Sequence, residues 1–338
     1  MARFSGSLAA SRLSRRGLKA LPEQPSPADV EQAAELLRQV VRCTSLTRSA
    51  SLSEASGAEV YLKWENQQHT GSFKLRGAYN LVASLPPDAL ARGLVTASVG
   101  NHGAAVAFIA HLRGLRATIV LPETAIPFKI QRCRVGGVDV RVEGASYDDA
   151  VEVAQSLADR EGMAYIPATE HPRIMAGQGT IAMEILEERP ETDALIVPVG
   201  GGGLIVGMAV WAKAVRPAIR IIGVQSTAAH TMYDSVQAGR VVGVTEESTL
   251  ADGIVGGVTA NNLALVRAYV DEMVLAEEEG IHQAMEHIRL TEDQMIEGAG
   301  AVGVAALLQG KLDLRPGDEA VILVSGGNVD PSLPPPGE

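Results

Sequence analysis

Short, almost uninterrupted apolar runs, each followed by a stretch of mixed polarity, constrain this chain more than any other feature. They are Val60–Trp64, Leu94–Ala97, Ala117–Leu121, Val138–Val142, Ala194–Val199, Ile219–Val224, Met273–Leu275 and Ala320–Val324, most of them rich in β-branched residues. A strand with one wet face alternates polar with apolar; a continuous run belongs to a strand covered on both faces. The expected fold class is therefore α/β, with two parallel or mostly parallel sheets flanked by helices. The first helix is expected over Asp29–Val41, where Val30, Ala33, Leu36, Leu37, Val40 and Val41 recur at helical spacing. A length of 338 residues suits one large unit or two closely packed lobes.

Composition excludes several classes of function. A net charge of −11 argues against nucleic acid, whose phosphates need a concentrated field of Lys and Arg. No window approaches the roughly 18 apolar residues of a membrane span, so no membrane partner and a cytoplasmic location are expected. Cys43 and Cys133 are too few and too far apart for a disulfide framework or a cysteine zinc site, and both are expected to be buried thiols. Met1–Leu21 is basic, with Arg12, Arg15, Arg16 and Lys19, but lacks the apolar centre of a signal peptide.

The chemistry is expected where strands run into helices, because ligands of such sheets bind at the carboxyl ends of the strands. Val197-Pro-Val-Gly-Gly-Gly-Gly-Leu204 follows one apolar run and opens a helix. Gly200, Gly201, Gly202 and Gly203 leave main-chain N–H groups bare at a helix N-terminus, a place for a phosphate. The spacing is neither that of a Walker loop nor Gly-x-Gly-x-x-Gly, so the phosphate belongs to something smaller than a dinucleotide. In Gly71-Ser-Phe-Lys-Leu-Arg-Gly77, Lys74 falls in the first turn of a helix; shielded by apolar neighbours, its amine is freed to form a Schiff base with an aldehyde. Ala97-Ser-Val-Gly-Asn-His-Gly-Ala104 presents Ser98, Asn101 and His102 as donors at a helix start, suited to a carboxylate or a phenolate. Val324-Ser-Gly-Gly-Asn328 ends the last run and offers the Ser325 hydroxyl to a ring nitrogen. Taken singly, each of these is also what an ordinary strand-to-helix turn looks like.

In this order and spacing, together with Ala176-Gly-Gln-Gly-Thr180 and Thr249-Leu-Ala-Asp-Gly-Ile254, the four motifs resemble the fold type II (tryptophan synthase beta-like) pyridoxal-phosphate enzymes. The resemblance runs from about Leu36 to Asp330 and is nearest the threonine dehydratase and serine racemase branch. It implies pyridoxal 5'-phosphate held as a Schiff base by Lys74, with Phe73 by the ring, Asn101 on its 3′ oxygen, Gly200–Gly203 and Leu204 on its phosphate, and Ser325 at its nitrogen. It also implies a substrate site made by Ser72, Ser98, Asn101 and His102. A neutral serine cannot keep the pyridine protonated as an aspartate would, which favours elimination over transamination. The implied domains are a flexible extension at 1–25, a large cofactor-binding domain at 26–90 and 166–330, a small domain at 91–165, and a flexible tail at 331–338. The implied activity is a dehydratase acting on a small β-hydroxy amino acid, L-threonine or L-serine, in a homodimer or homotetramer.

Departures from the family pattern narrow the reading. Racemases of this branch carry a serine acid/base two residues before the motif asparagine; here that residue is Val99, which cannot move a proton, and Tyr147 stands where the racemase pattern has an arginine. The positions matching the family's divalent-cation site are Gln225 and Thr231, so no metal is expected there. The family's Glu-Pro-Ser-Gly-Ala reads Glu297-Gly-Ala-Gly-Ala301, and the carboxylate motif ends Gly103-Ala104-Ala105. Both touch the pocket and leave room for another substrate, such as the hydroxylated diamino acid of the hydroxyectoine-utilisation dehydratases. Serine racemase, a β-replacement synthase and a non-catalytic protein binding a phosphorylated metabolite are the alternatives.

Overall fold

The computed structural model describes residues 23–98, 100–243 and 248–330. Of the N-terminal extension expected at 1–25, residues 1–22 lie outside the described residues, as do the tail at 331–338 and Val99. The chain opens with α1 (Pro27–Leu37), β1 (Leu46–Arg48), α2 (Ala50–Ser56), β2 (Glu59–Trp64), α3 (Lys74–Ser84) and α4 (Pro87–Arg92). There follow β3 (Leu94–Ala97), α5 (Asn101–Arg113), β4 (Ala117–Leu121), α6 (Pro127–Cys133), β5 (Asp139–Val142), α7 (Tyr147–Glu161) and β6 (Ala164–Tyr165). Next come α8 (Pro172–Glu188), β7 (Ala194–Pro198), α9 (Gly203–Val215), β8 (Arg220–Ser226) and α10 (Thr231–Ala238). The last are α11 (Ala260–Tyr269), β9 (Glu272–Ala276), α12 (Glu278–Glu292), α13 (Gly298–Leu308) and β10 (Glu319–Val324).

The strands form a six-stranded sheet, ordered β1-β2-β10-β7-β8-β9, and a four-stranded sheet, ordered β5-β4-β3-β6. All pairings are parallel except that of β1 with β2. The continuous runs are the central strands: β3, β4 and β7 are buried throughout, and β8 and β10 at all but their first residue. Every expected strand is present; Leu94–Ala97 and Ala117–Leu121 have the expected ends, and the others differ by at most two residues at either end. β1 and β6 were not expected; they are three and two residues long and lie at sheet edges. The first helix starts earlier and ends sooner than its apolar spacing predicts. Ser26 and Asp29 form a reciprocal cap at its start, and after Leu37 the chain turns, the Val40 N–H donating to the Leu37 carbonyl.

Glycines let α8 approach two helices at once. A Cβ at Gly177 would come within 2.6 Å of the Arg76 carbonyl, and one at Gly179 within 2.7 Å of the Gly207 carbonyl, so α8 packs backbone to backbone against α3 and α9. That is the structural sense of Ala176-Gly-Gln-Gly-Thr180, whose Gln178 also accepts the Gly77 N–H. One expectation about the cysteines fails. Cys133 is buried, its thiol pushed up to about 12 by burial, but Cys43 is exposed because the connector from α1 to β1 runs over the surface.

Candidate active site

The register of the large sheet assembles the site. Trp64 at the end of β2 pairs with Val324 at the end of β10, and β10 pairs in the same direction with β7. The segments that follow these strands, 65–73, 325–328 and 199–202, therefore emerge side by side at one sheet edge. An antiparallel bridge joins Ser72 to Gly326, and the Phe73 N–H donates to the Ser325 carbonyl at 3.1 Å. In the smaller sheet, β3 delivers the start of α5 to the same cavity. Phe73, Lys74, Ser98, Asn101, His102, Gly200–Gly203, Leu204 and Ser325 all line it. Ser72 does not: fully buried, with its hydroxyl unpartnered, it is held at the base of the loop by its bridge to Gly326.

Lys74 is the first residue of α3, and its amine donates to the Ala168 carbonyl at 3.2 Å. Burial brings the amine down to about 8, opposed in part by Glu297. Two residues on, Arg76 is 0% exposed and anchors this turn. Its guanidinium donates twice to Glu65 at 2.8 Å and to Glu184 at 2.6 and 2.9 Å, while Lys63 donates to Glu184 at 2.6 Å. Burial pushes the Glu65 carboxyl up, but Arg76 outweighs it and holds the group below the ordinary carboxylate range.

The glycine run forms a cradle at the start of α9. Gly202 has φ 91°, a conformation that glycine adopts without strain. A Cβ at Gly201 would sit 3.0 Å from the Thr169 hydroxyl, and one at Gly203 2.6 Å from the Thr169 carbonyl, so side chains here would fill the space in front of the helix. The N–H groups of the first helical turn have no partner within the helix and carry the positive end of its dipole.

Facing this cradle, Ser98 Oγ accepts the N–H groups of Gly100 and Gly103 at 2.9 and 2.8 Å, which leaves its own hydrogen free to donate. His102 differs from expectation. Its Nε2 lies 3.0 Å from the Ile166 carbonyl, which can only accept, so that nitrogen carries the hydrogen and the unpartnered Nδ1 is a bare lone pair. Burial holds this imidazole down to about 3 and hence neutral. A carboxylate can therefore be met by the His102 main-chain N–H but not by its ring.

Four cavity residues carry chemistry that motif reading did not assign. Glu297 accepts from Asn101 Nδ2 at 2.6 Å. Lys129 of α6 pairs across the cavity mouth with Asp252. Thr169 packs on the glycines. Tyr147, noted only as a departure from the racemase pattern, lines the cavity with its phenol raised by burial. A charged residue in a helix or loop reads as solvated unless the fold is known, and only the Glu297 segment gave a signal. At the positions compared with the family cation site, Gln225 Oε1 accepts the Tyr233 N–H at 2.7 Å, and both Gln225 and Thr231 are buried. Among the described residues, no group of three or more His, Cys, Asp or Glu side chains is placed to hold a metal.

A family profile described as "Pyridoxal-phosphate dependent enzyme" matches residues 37–326. The chain belongs to this family. Its relatives include the L-threonine ammonia-lyase of Thermotoga maritima, 44% identical over 90% of this chain and 76% of that protein. The catabolic L-threonine dehydratase TdcB of Escherichia coli is 38% identical over 89% of this chain and 92% of that protein. Among solved structures, the processed form of threonine deaminase isoform 2 from Solanum lycopersicum superposes with a TM-score of 0.84 at 32% identity, covering 95% of this chain and 91% of that one. Maize serine racemase does so with a TM-score of 0.88 at 32% identity, covering 91% and 95%. The pyridoxal-phosphate enzyme described here is thus of fold type II, one mixed and one parallel sheet flanked by helices. No helix among its described residues is long and apolar enough to cross a membrane.

Proposed function

We propose that this enzyme is a threonine ammonia-lyase, converting L-threonine to 2-oxobutanoate and ammonium and acting also on L-serine. One observation carries the reading: Lys74, the glycine cradle, and Ser98 with Asn101, which are far apart in sequence, line one cavity in a chain 38–44% identical to proteins named for that activity.

The residues present suit pyridoxal phosphate. Lys74 offers a buried amine, and Gly200–Gly203 with Leu204 offer main-chain N–H groups for the phosphate. Phe73, whose ring centroid lies 5.2 Å from the Lys74 amine, would pack by the pyridine ring. Asn101 keeps one N–H for a phenolic oxygen, and the neutral Ser325 stands for the ring nitrogen. The bound cofactor supplies an electron sink for the substrate's Cα. Ser98 and the main chain at Asn101 and His102 hold the substrate carboxylate. Lys74 takes the Cα proton as general base, the β-hydroxyl leaves, and the water lost is returned at hydrolysis, so the net loss is ammonia.

We place residues 26–90 and 166–330 in a large cofactor-binding domain and 91–165 in a small one, and infer a cytoplasmic homodimer or homotetramer. The likeness to maize serine racemase keeps racemisation as a second reading. Val99 weighs against it. The test is to supply L-threonine, L-serine and a panel of other hydroxy-amino acids, including a hydroxylated diamino acid, while following 2-oxo acid and D-amino acid together. Ammonium and 2-oxobutanoate are expected from L-threonine; D-serine forming faster than pyruvate, or turnover of the diamino acid alone, overturns the assignment.

A further inference from the structure

The helix holds only part of the glycine cradle. The Gly202 carbonyl accepts the Val206 N–H at 3.1 Å, so the peptide joining Gly202 to Gly203 is fixed by α9. The peptide before it, joining Gly201 to Gly202, lies outside the helix and has a glycine on each side. Gly202 has φ 91° and ψ −13°, the conformation of the third residue of a type II turn. The type I form places that residue at about φ −90°, ψ 0°, and the two forms differ by a half-rotation of this one peptide. Glycine enters either form without strain. The choice between them must come from outside the turn.

Asn262 supplies it. The residue lies in the first turn of α11, where the Thr259 hydroxyl accepts its main-chain N–H at 3.2 Å, and it is 0% exposed. Its Nδ2 donates to the Gly201 carbonyl at 2.5 Å. A main-chain carbonyl only accepts, so the orientation of the amide is set, and Oδ1 is left buried without a partner among the described residues. Packing does not explain such a residue. Asn262, Met232 and Val266 crowd the same side of Gly202, and a leucine of similar shape would fill that place without leaving an oxygen unpaired. The bond to Gly201 accounts for the amide.

We propose that Asn262 is a positioning residue for the cofactor phosphate, its amide locking the Gly201–Gly202 peptide with the N–H turned to the cavity. In a trans peptide the carbonyl and the following N–H point in opposite directions. With the Gly201 carbonyl drawn back to Asn262, the Gly202 N–H faces forward, on the side where Gly201 and Gly202 line the cavity. It joins the Gly203 N–H as a second donor for an anion. Reversed, the same peptide would turn its carbonyl oxygen on the phosphate and replace an attraction with a repulsion. The inference rests on the glycine run taking the phosphate.

The test compares pyridoxal 5'-phosphate with pyridoxal, which differ only in the phosphate. Each is titrated onto full-length enzyme stripped of cofactor, wild type and Asn262→Leu, with the visible absorption of the bound aldehyde as the signal. In Asn262→Leu the dissociation constant for pyridoxal 5'-phosphate should rise roughly 10- to 100-fold, the worth of one hydrogen bond to a charged group, while that for pyridoxal stays within about twofold. Asn262→Asp, which keeps the shape but as a carboxylate cannot donate, should act in the same direction. In the loaded variants the phosphorus NMR resonance of the cofactor should move from its wild-type position. Equal weakening for the two aldehydes would make Asn262 a strut for the fold and overturn the proposal. A wild-type preference for the phosphorylated aldehyde that survives in both variants would remove Asn262 alone. A wild-type enzyme that binds the two aldehydes alike would go further and remove the glycine run as the phosphate site.

Discussion

The two walls of the cavity are held by different physics. The Lys74 wall, from the large sheet, rests on buried full charges: Arg76 and Glu65 are both 0% exposed, and Arg76 shares Glu184 with Lys63. The opposite wall, from the smaller sheet, rests on neutral hydrogen bonds, with two N–H groups on the Ser98 hydroxyl and one carbonyl on His102. A half-broken buried ion pair leaves an uncompensated charge, whereas a lost neutral bond costs little more than the bond. The lysine wall should therefore fail by unfolding, and the Ser98 wall by losing grip on the substrate.

The largest expected effect lies on the lysine wall but is chemical. Lys74→Ala should lose both the visible absorption and the borohydride-fixable attachment of the cofactor, and turnover should fall by about 10⁴-fold, the upper range for a general base. Its folded state should survive, since the amine makes a single long bond to Ala168. Normal turnover by this variant would show that another lysine does the work.

Next come the charges behind it. Arg76→Met should cost about 3–5 kcal/mol in denaturant unfolding, because it strands Glu65 with only the Thr44 hydroxyl for company. Ser98→Ala should change stability by no more than about 1.5 kcal/mol, yet raise KM for threonine by roughly tenfold. If the two variants proved equally unstable, or if Arg76→Met altered only KM, the contrast between the walls would be wrong.

A smaller effect follows from pH. An amine lowered to about 8 is mostly protonated at pH 7, so the rate at which cofactor-stripped enzyme regains pyridoxal phosphate should rise roughly fivefold from pH 7 to 8 and then level off. An ordinary exposed lysine would keep accelerating towards pH 10. The sign follows from burial, which favours the neutral form of an amine and moves its transition to lower pH.

How much of this was legible beforehand depended on what each residue demands of its neighbours. Glycines that admit a bare helix start or a close backbone contact, such as Gly203 and Gly177, write a backbone requirement into the sequence, and so do the continuous runs of β3, β4 and β7. β1 and β6 carry no such mark; Leu46–Arg48 and Ala164–Tyr165 become strands only because β2 and β3 offer them an edge. Likewise, the meeting of Asn101, Lys129, Asp252, Glu297 and Asn328 is a product of topology, since Asn101 and Asn328 stand 227 positions apart and Lys129 and Asp252 stand 123 apart. The tautomer of His102 depends on a carbonyl 64 residues away and could not be read at all.

The smallest effect tests where the two walls touch. Lys129 comes from the smaller-sheet side and Asp252 from the other, and their bridge spans the mouth; the side chain of Asp252 is 46% exposed, so solvent screens the pair and its loss should change kcat/KM by only about two- to threefold. If the bridge were merely a strap, Lys129→Met and Asp252→Asn would act alike, since each breaks the same bond. Both charges also bear on Glu297, Lys129 favouring its anion and Asp252 opposing it. Removing Lys129 should therefore move the Glu297 midpoint to higher pH, and removing Asp252 should move it to lower pH. Followed as the infrared carbonyl band of the buried Glu297 acid, shifts of opposite sign would make the bridge an electrostatic control on that carboxyl; shifts of the same sign would leave it a contact and nothing more.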